Sequence, residues 1–292
     1  MTAKVLTGSA AALAAALVLI PGAAAADLDA RTVTLQAADM PGAKVTSQGA
    51  VKETGYPSAY QRSFSYKSPN GRAGVVVVQT ESAVAATAAQ AAADEAKAKK
   101  GFASKSVRTA FIKYIASSLR VQQSAVKIGA IRTPRVGDHA FELPLTITVK
   151  AGRVYVSLLY MQLDRVFSQF LTVAIKPIAG GDNTYATAVA SRIGTALTPV
   201  VSVAPSITGA AQQGQTLTAA PGTWSDAAAS PAYQWQKCDA AGANCADVPG
   251  QTGSTYVVQP TDVGTTLRVN VTATNRFGTS TPAASAPTAV VT

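Results

Sequence analysis

From residue 59 the chain alternates. In "AYQRSFSYKS" (59–68) Tyr60, Phe64 and Tyr66 recur on one side, the period of a half-buried strand. "PNGR" (69–72) supplies a hairpin turn, and "AGVVVVQT" (73–80) reads as a buried return strand. Alanines then crowd the chain from Glu81 to Lys100, a helix by propensity, closed by Gly101. A second helix is predicted over Ser104 to Arg120, with Val107, Ala110, Phe111, Tyr114 and Ser118 as its apolar stripe. Strands return at "AVKIGAIRT" (125–133) and at "HAFELPLTITVK" (139–150), where Phe141, Leu143, Leu145, Ile147 and Val149 alternate strictly. "RVYVSLLYMQL" and "VFSQFLTVAIK" follow, separated by the turn Asp164-Arg165, and complete an antiparallel meander. Asp182 or Asn183 caps a last helix, in which Tyr185, Val189, Ile193 and Leu197 recur every four residues. The pattern predicts an α+β domain, an antiparallel sheet covered by helices.

The pattern changes at "TPVVSVAPS" (198–206), a proline-bearing boundary. Beyond it no helical period appears. "QTLTAA", "AYQWQK", "STYVVQ" and "TLRVNVTATN" are short candidate strands, with "STPAASAPTAVV" closing the chain. In the fourth, Leu267, Val269, Val271 and Ala273 face one way and Arg268, Asn270 and Thr272 the other. Some ninety residues of short strands predict a β-sandwich. The words Gly214–Leu217 (GQTL), Gly222–Trp224 (GTW), Tyr233–Trp235 (YQW), the pair Cys238/Cys245, Thr255-Tyr256 and Asp262–Val269 (DVGTTLRV) stand in order across residues 204–291. On these, the segment resembles the immunoglobulin-like repeats of bacterial, notably actinobacterial, surface and secreted proteins. The resemblance implies an all-β immunoglobulin-like sandwich with Trp235 in its core and no chemistry of its own, since such domains serve as spacers, adhesion modules or glycan contacts. It departs from antibody domains, whose disulfide crosses between sheets. The first domain, through "LQAADMPG" (35–42) and its order of elements, resembles PsbP-like exported sensor and lipoprotein domains, and no functional residue carries over.

The N-terminus changes the picture from two domains to an exported pair. Lys4, the apolar run "SAAALAAALVLI" (9–20) and small residues ending at Ala24-x-Ala26 read as a signal peptide over 1–26. A membrane anchor needs about 20 apolar residues, and Pro21-Gly22 interrupts this run. The expected organisation is a signal at 1–26, a basic α+β domain at 27–199 and the sandwich at 200–292. No transmembrane span is expected in the mature chain, which is placed outside the cell, free or held to the envelope without a covalent link. Export explains the cysteines: Cys238 and Cys245 flank the turn "DAAGAN" and are expected to close a disulfide. Zinc would want about four ligands, and only His139 remains to help. The spacing is not that of a C-x-x-C redox pair.

Charge is confined to one domain. The chain carries +10 overall; residues 27–200 hold 21 basic and 11 acidic side chains, and residues 201–292 hold 3 and 4. From Ala96 to Gly137 no acid occurs. That window holds ten bases: Lys97, Lys99, Lys100, Lys105, Arg108, Lys113, Arg120, Lys127, Arg132 and Arg135. The predicted apolar stripe puts Lys105, Arg108, Lys113 and Arg120 on the opposite, outward side of the second helix. Such a face attracts anions over about 8 Å at physiological salt. The partners expected outside a bacterial membrane are an anionic envelope polymer, lipid head groups or an acidic glycan. Nucleic acid is disfavoured, because the aromatics fall on the apolar side and offer no stacking platform.

Catalysis is not expected. The sole histidine, His139, lies between Asp138 and Glu142 at a strand start, where a carboxylate-supported general base has this look. No second group of the needed kind is near it in sequence, so it reads as a strand-end histidine. No nucleophile elbow, phosphate loop, dinucleotide fingerprint or calcium loop is present, and no cofactor or metal is implied. The expected function is a non-enzymatic envelope-binding or adhesion protein. One alternative is a carrier of lipid or small molecules with an apolar pocket near Phe111, Tyr155 and Phe170; another is an envelope-modifying hydrolase, which requires His139 in a cleft beside a carboxylate and an exposed hydroxyl.

Overall fold

The computed structural model describes residues 28–52, 56–67, 75–177, 183–225 and 230–292. The expected signal, the "PNGR" turn and Asp182 lie outside them. The chain forms two compact units, one up to Ile193 and one from Gly194, dividing in the last turn of a helix.

In the first unit the described residues build a seven-stranded antiparallel sheet. Its strands are β1 (Lys44–Ala50), β2 (Ser58–Lys67), β3 (Val75–Val84), β4 (Val126–Ile128), β5 (His139–Val149), β6 (Gly152–Leu163) and β7 (Val166–Ala174), in the order β1-β2-β3-β7-β6-β5-β4. The helices are α1 (Ala30–Val33), α2 (Ala88–Ala103), α3 (Lys105–Leu119) and α4 (Asn183–Ala196). The β5–β7 meander stands as the alternation predicts. In register, Phe141 faces Tyr160, Leu143 faces Leu158 and Leu145 faces Val156. These residues, with Val77, Phe167 and Val173, bury one sheet face against Phe111, Ile115 and Ala116 of α3 and Phe102 of α2. Phe141 and Tyr160 stack at 4.5 Å, and Phe102 meets Phe111 edge-on at 5.5 Å. The chain before β1 is pinned to β2: Ala30 N–H donates to Ser58 Oγ, and buried Arg62 donates to Leu35 O at 2.7 Å. Arg192 of α4 grips Asp39 of that same segment through two bonds of 2.6 and 3.0 Å.

Four expectations are corrected. The stretch Glu81–Val84 belongs to β3, where it pairs β2 and β7 on either side; two ladders of hydrogen bonds outweigh alanine's helical preference, and α2 starts only after Thr87, whose Oγ1 caps Gln90 N–H. Gly101 does not end that helix, which runs to Ala103 before Ser104 turns extended. The 125–133 strand shrinks to β4 plus one bridge between Arg132 and Glu142. The α3 stripe is rotated. Phe111, Ile115 and Ala116 are buried, with Ile112 and Leu119 packed beside them, whereas Val107 and Tyr114 are 40% and 36% exposed. At 100° per residue the latter two lie roughly 100–120° round the helix from the buried stripe. Two apolar stripes overlap in "FIKYIASSL", and the one without a polar member went inward.

The second unit is built of short antiparallel strands. β8 (Val201–Val203) pairs β11 (Thr223–Trp224); one sheet holds β9 (Ser206–Thr208), β10 (Thr216–Ala220) and β14 (Thr255–Val257); another holds β12 (Ser230–Cys238), β13 (Ala246–Asp247), β15 (Thr266–Asn275), β16 (Gly278–Thr279) and β17 (Ala283–Ala284). Leu217, Ala219 and Tyr256 from the first share one core with Leu267, Val269 and Val271 from the second, around a fully buried Trp235 whose Nε1–H donates to Gly253 O. Cys238 and Cys245 form the expected disulfide. Among the described residues no helix is long and apolar enough to cross a membrane.

Candidate functional site

The ten basic residues of the acid-free window do not form one face. Lys97, Lys99 and Lys100 ride on α2; Lys105, Arg108 and Lys113 on α3; Arg120 caps α3; Lys127 sits in β4; Arg132 and Arg135 lie in the chain leading to β5. Rotation of α3 turns Arg108 toward the sheet, where it donates to Gly129 O. The outward line of α3 runs Ser106, Ala110, Lys113 and Ser117, one charge among four residues, with Lys105 and Arg120 exposed on its flank, so the expected purely positive outer face is corrected to a mixed one. Arg132 pairs with the buried Glu142 at 3.6 Å, and Glu142 also accepts from Ser157 Oγ at 2.8 Å. Lys97, Lys100, Lys105 and Lys127 are exposed without an ion pair among the described residues.

The remaining four sort into two concavities. The larger, about 680 Å³, is a groove between the end of α3 and the β5–β6 turn. Lys113, Arg120 and Lys150 converge on it, with Ser117, Gln122 and Thr148 between them and no carboxylate in its lining. Arg120 holds the left-handed conformation, φ 53° and ψ 47°, and its N–H closes α3 onto Ala116 O and Ser117 O. Sequence reasoning missed Lys150, which lies outside the acid-free window. The signal was available: β4 pairs β5 from Val126↔Ile147 to Ile128↔Leu145, so the chain entering β4 from α3 lies beside the β5–β6 turn.

The second concavity, about 470 Å³, is lined by Glu95 and Lys99 of α2 and by the run Thr133–Ala140. Arg135 and His139 are in that run. It is held rigidly. Asp138 N–H donates to Gln162 O at 2.8 Å, and Asp138 Oδ2 accepts from Asp164 N–H. Gly137 has φ +67°, and a Cβ there would come within 2.4 Å of Gln162 O. Glu95 is 4% exposed, and its Oε1 has no hydrogen-bond partner. Burial pushes its carboxyl above the usual 4.5, opposed by the nearby charges of Lys99 and His139. Sequence distance hid the placing of His139 and the Glu95 carboxyl in one lining. The clue was the α2 stripe Ala91, Glu95, Ala98, Phe102, which puts an acid on the buried side.

Among the described residues no group of three His, Cys, Asp or Glu could hold a metal ion. No family model matches the chain, and no curated protein does. Among solved structures, the extracellular domain of PknH from Mycobacterium tuberculosis is similar at 9% identity with a TM-score of 0.37, over 60% of this chain and 98% of that one.

Among the described residues no single apolar pocket joins Phe111, Tyr155 and Phe170. Phe111 packs on the face that carries Val154, Val156 and Leu171; Tyr155 and Phe170 alternate with these and lie on the other side of the sheet. The void beside Phe170 and Tyr160 measures about 10 Å³, room for about one water molecule. The premise against nucleic acid also changes, since Tyr114 stands exposed one flank away from Lys113.

Proposed function

We propose that the protein is an exported, non-enzymatic envelope-binding protein whose basic α+β domain contacts anionic polymers or lipid head groups through the groove of Lys113, Arg120 and Lys150. The C-terminal unit is an immunoglobulin-like sandwich that serves as spacer or second contact, on the motif words of its sequence and on two sheets sharing a core around Trp235. The observation that carries the reading is three cations on one concavity with no acid in its lining. Three like charges held together raise the energy of the compact state, and an anion relieves it. The mixture of hydroxyl, amide and short apolar side chains between them suits a polymer that alternates charge with hydroxylated carbon. The disulfide and the apolar N-terminal run support a location outside the membrane.

The test is co-sedimentation of residues 27–292 with purified envelope, with vesicles containing an anionic phospholipid, and with an immobilised acidic polysaccharide, each over rising salt. Single-stranded DNA serves as competitor. Binding is expected at low salt to at least one of the three, weakening as salt rises and lost in the triple reversal K113E/R120E/K150E. Absence of binding at low salt, binding that ignores the reversal, or DNA outcompeting all three surfaces sinks the reading.

A further inference from the structure

The recess around Glu95 and His139 has no part in that reading, and its chemistry differs. The groove of α3 is cationic throughout; the recess is bipolar. Its wall carries a buried carboxyl group with one oxygen lacking a donor. Lys99 and Arg135 also line it, and neither makes an ion pair among the described residues. His139 adds an imidazole ring to the lining. Asp138 lines it too, but one of its oxygens holds the turn at Asp164.

A buried carboxyl oxygen without a donor is costly, and a ligand that supplies the donor recovers that cost. A purely anionic ligand satisfies Lys99 and Arg135 but meets the Glu95 carboxylate. A purely cationic one satisfies Glu95 but meets two fixed positive charges. A molecule with an ammonium at one end and a carboxylate at the other satisfies both. The volume is in the range of small-molecule sites. The walls are preorganised by Gly137 and Asp138 against β6. We infer that this recess binds a small zwitterion, a free amino acid or short peptide, with its ammonium on Glu95 and its carboxylate on Arg135 and Lys99.

Alanine, dialanine and trialanine hold their own ammonium and carboxylate progressively further apart, in steps of up to about 3.5 Å per residue. Calorimetric titration of residues 27–292 with each is expected to show at least one binding in the millimolar range or tighter. The best binder should lose affinity about tenfold or more in E95Q and in R135A. It should also lose it when its amine is acetylated or its carboxylate amidated. K113E/R120E/K150E should leave it unchanged, which separates this site from the groove. Arg135 is exposed, so R135A keeps the test open should E95Q disturb the fold. Silence from all three probes, undiminished binding in either single variant, or equal affinity for glucose overturns the inference.

Discussion

Arg120→Gly should make the protein more stable and a poorer binder at once. Arg120 sits at φ 53°, ψ 47°, where its N–H bonds Ala116 O and Ser117 O while Val121 N–H reaches Ala116 O at 2.9 Å. This is the helix ending for which glycine is the usual residue. A side chain there costs about 1–2 kcal/mol, because its Cβ crowds the following carbonyl. Glycine removes that crowding but gains freedom in the unfolded chain, which returns about 0.4–1 kcal/mol. Arg120 is exposed and makes no ion pair among the described residues, so little else is lost. The net expectation is a gain of about 0.5–1 kcal/mol in the first unit. Binding moves the other way. One cation of the three leaves the groove; near an anionic surface each is worth about 1 kcal/mol, or about fivefold in affinity. The assay separates the units without cutting the chain. Helical ellipticity at 222 nm reports the first unit, which holds the described α-helices apart from the last turn of α4; tryptophan fluorescence reports the second, which holds Trp224 and Trp235. Urea titration should raise the ellipticity midpoint and leave the fluorescence midpoint in place. A lowered ellipticity midpoint would refute the account of the helix ending. An unchanged affinity for the anionic surface would refute the groove.

Two other outcomes follow from the buried carboxyl and the disulfide. Glu95 has its carboxyl raised by burial, so the neutral form favours folding: that stability is present below the unfolded value near 4.5 and is lost as pH rises through the folded one. Glu95→Gln cannot ionise, and its ellipticity melting temperature should exceed that of the natural protein at neutral pH and match it in acid; a lower melting temperature at neutral pH would show that ionised Glu95 is held by its neighbours. Cys238→Ser with Cys245→Ser opens the short ring on β12 and should cost the second unit about 2–3 kcal/mol in the fluorescence transition, with the ellipticity transition unmoved.

Strands were legible in the sequence wherever one face was apolar and the other was not. The alternation from Phe141 to Val149 and from Leu267 to Ala273 needed no tertiary information, because a slip of one residue would turn every such side chain the wrong way. Trp235 and the disulfide followed from motif words and compartment. The site was less legible, and α3 shows why. Its sequence offers two apolar stripes that share Phe111, and intrinsic pattern does not choose between them. Burial against Leu145 and Ile147 does, and it carries Arg108 inward and Tyr114 outward. Charge read along the chain therefore counted Arg108 and Arg132 as free, although one is spent on Gly129 O and the other on Glu142. It also omitted Lys150, which the sheet returns to the end of α3. A run of bases says how much charge a domain carries. Where that charge acts is decided by hydrophobic burial, since the apolar stripe sets the rotation of the helix and the long cationic side chains accept whatever flank remains.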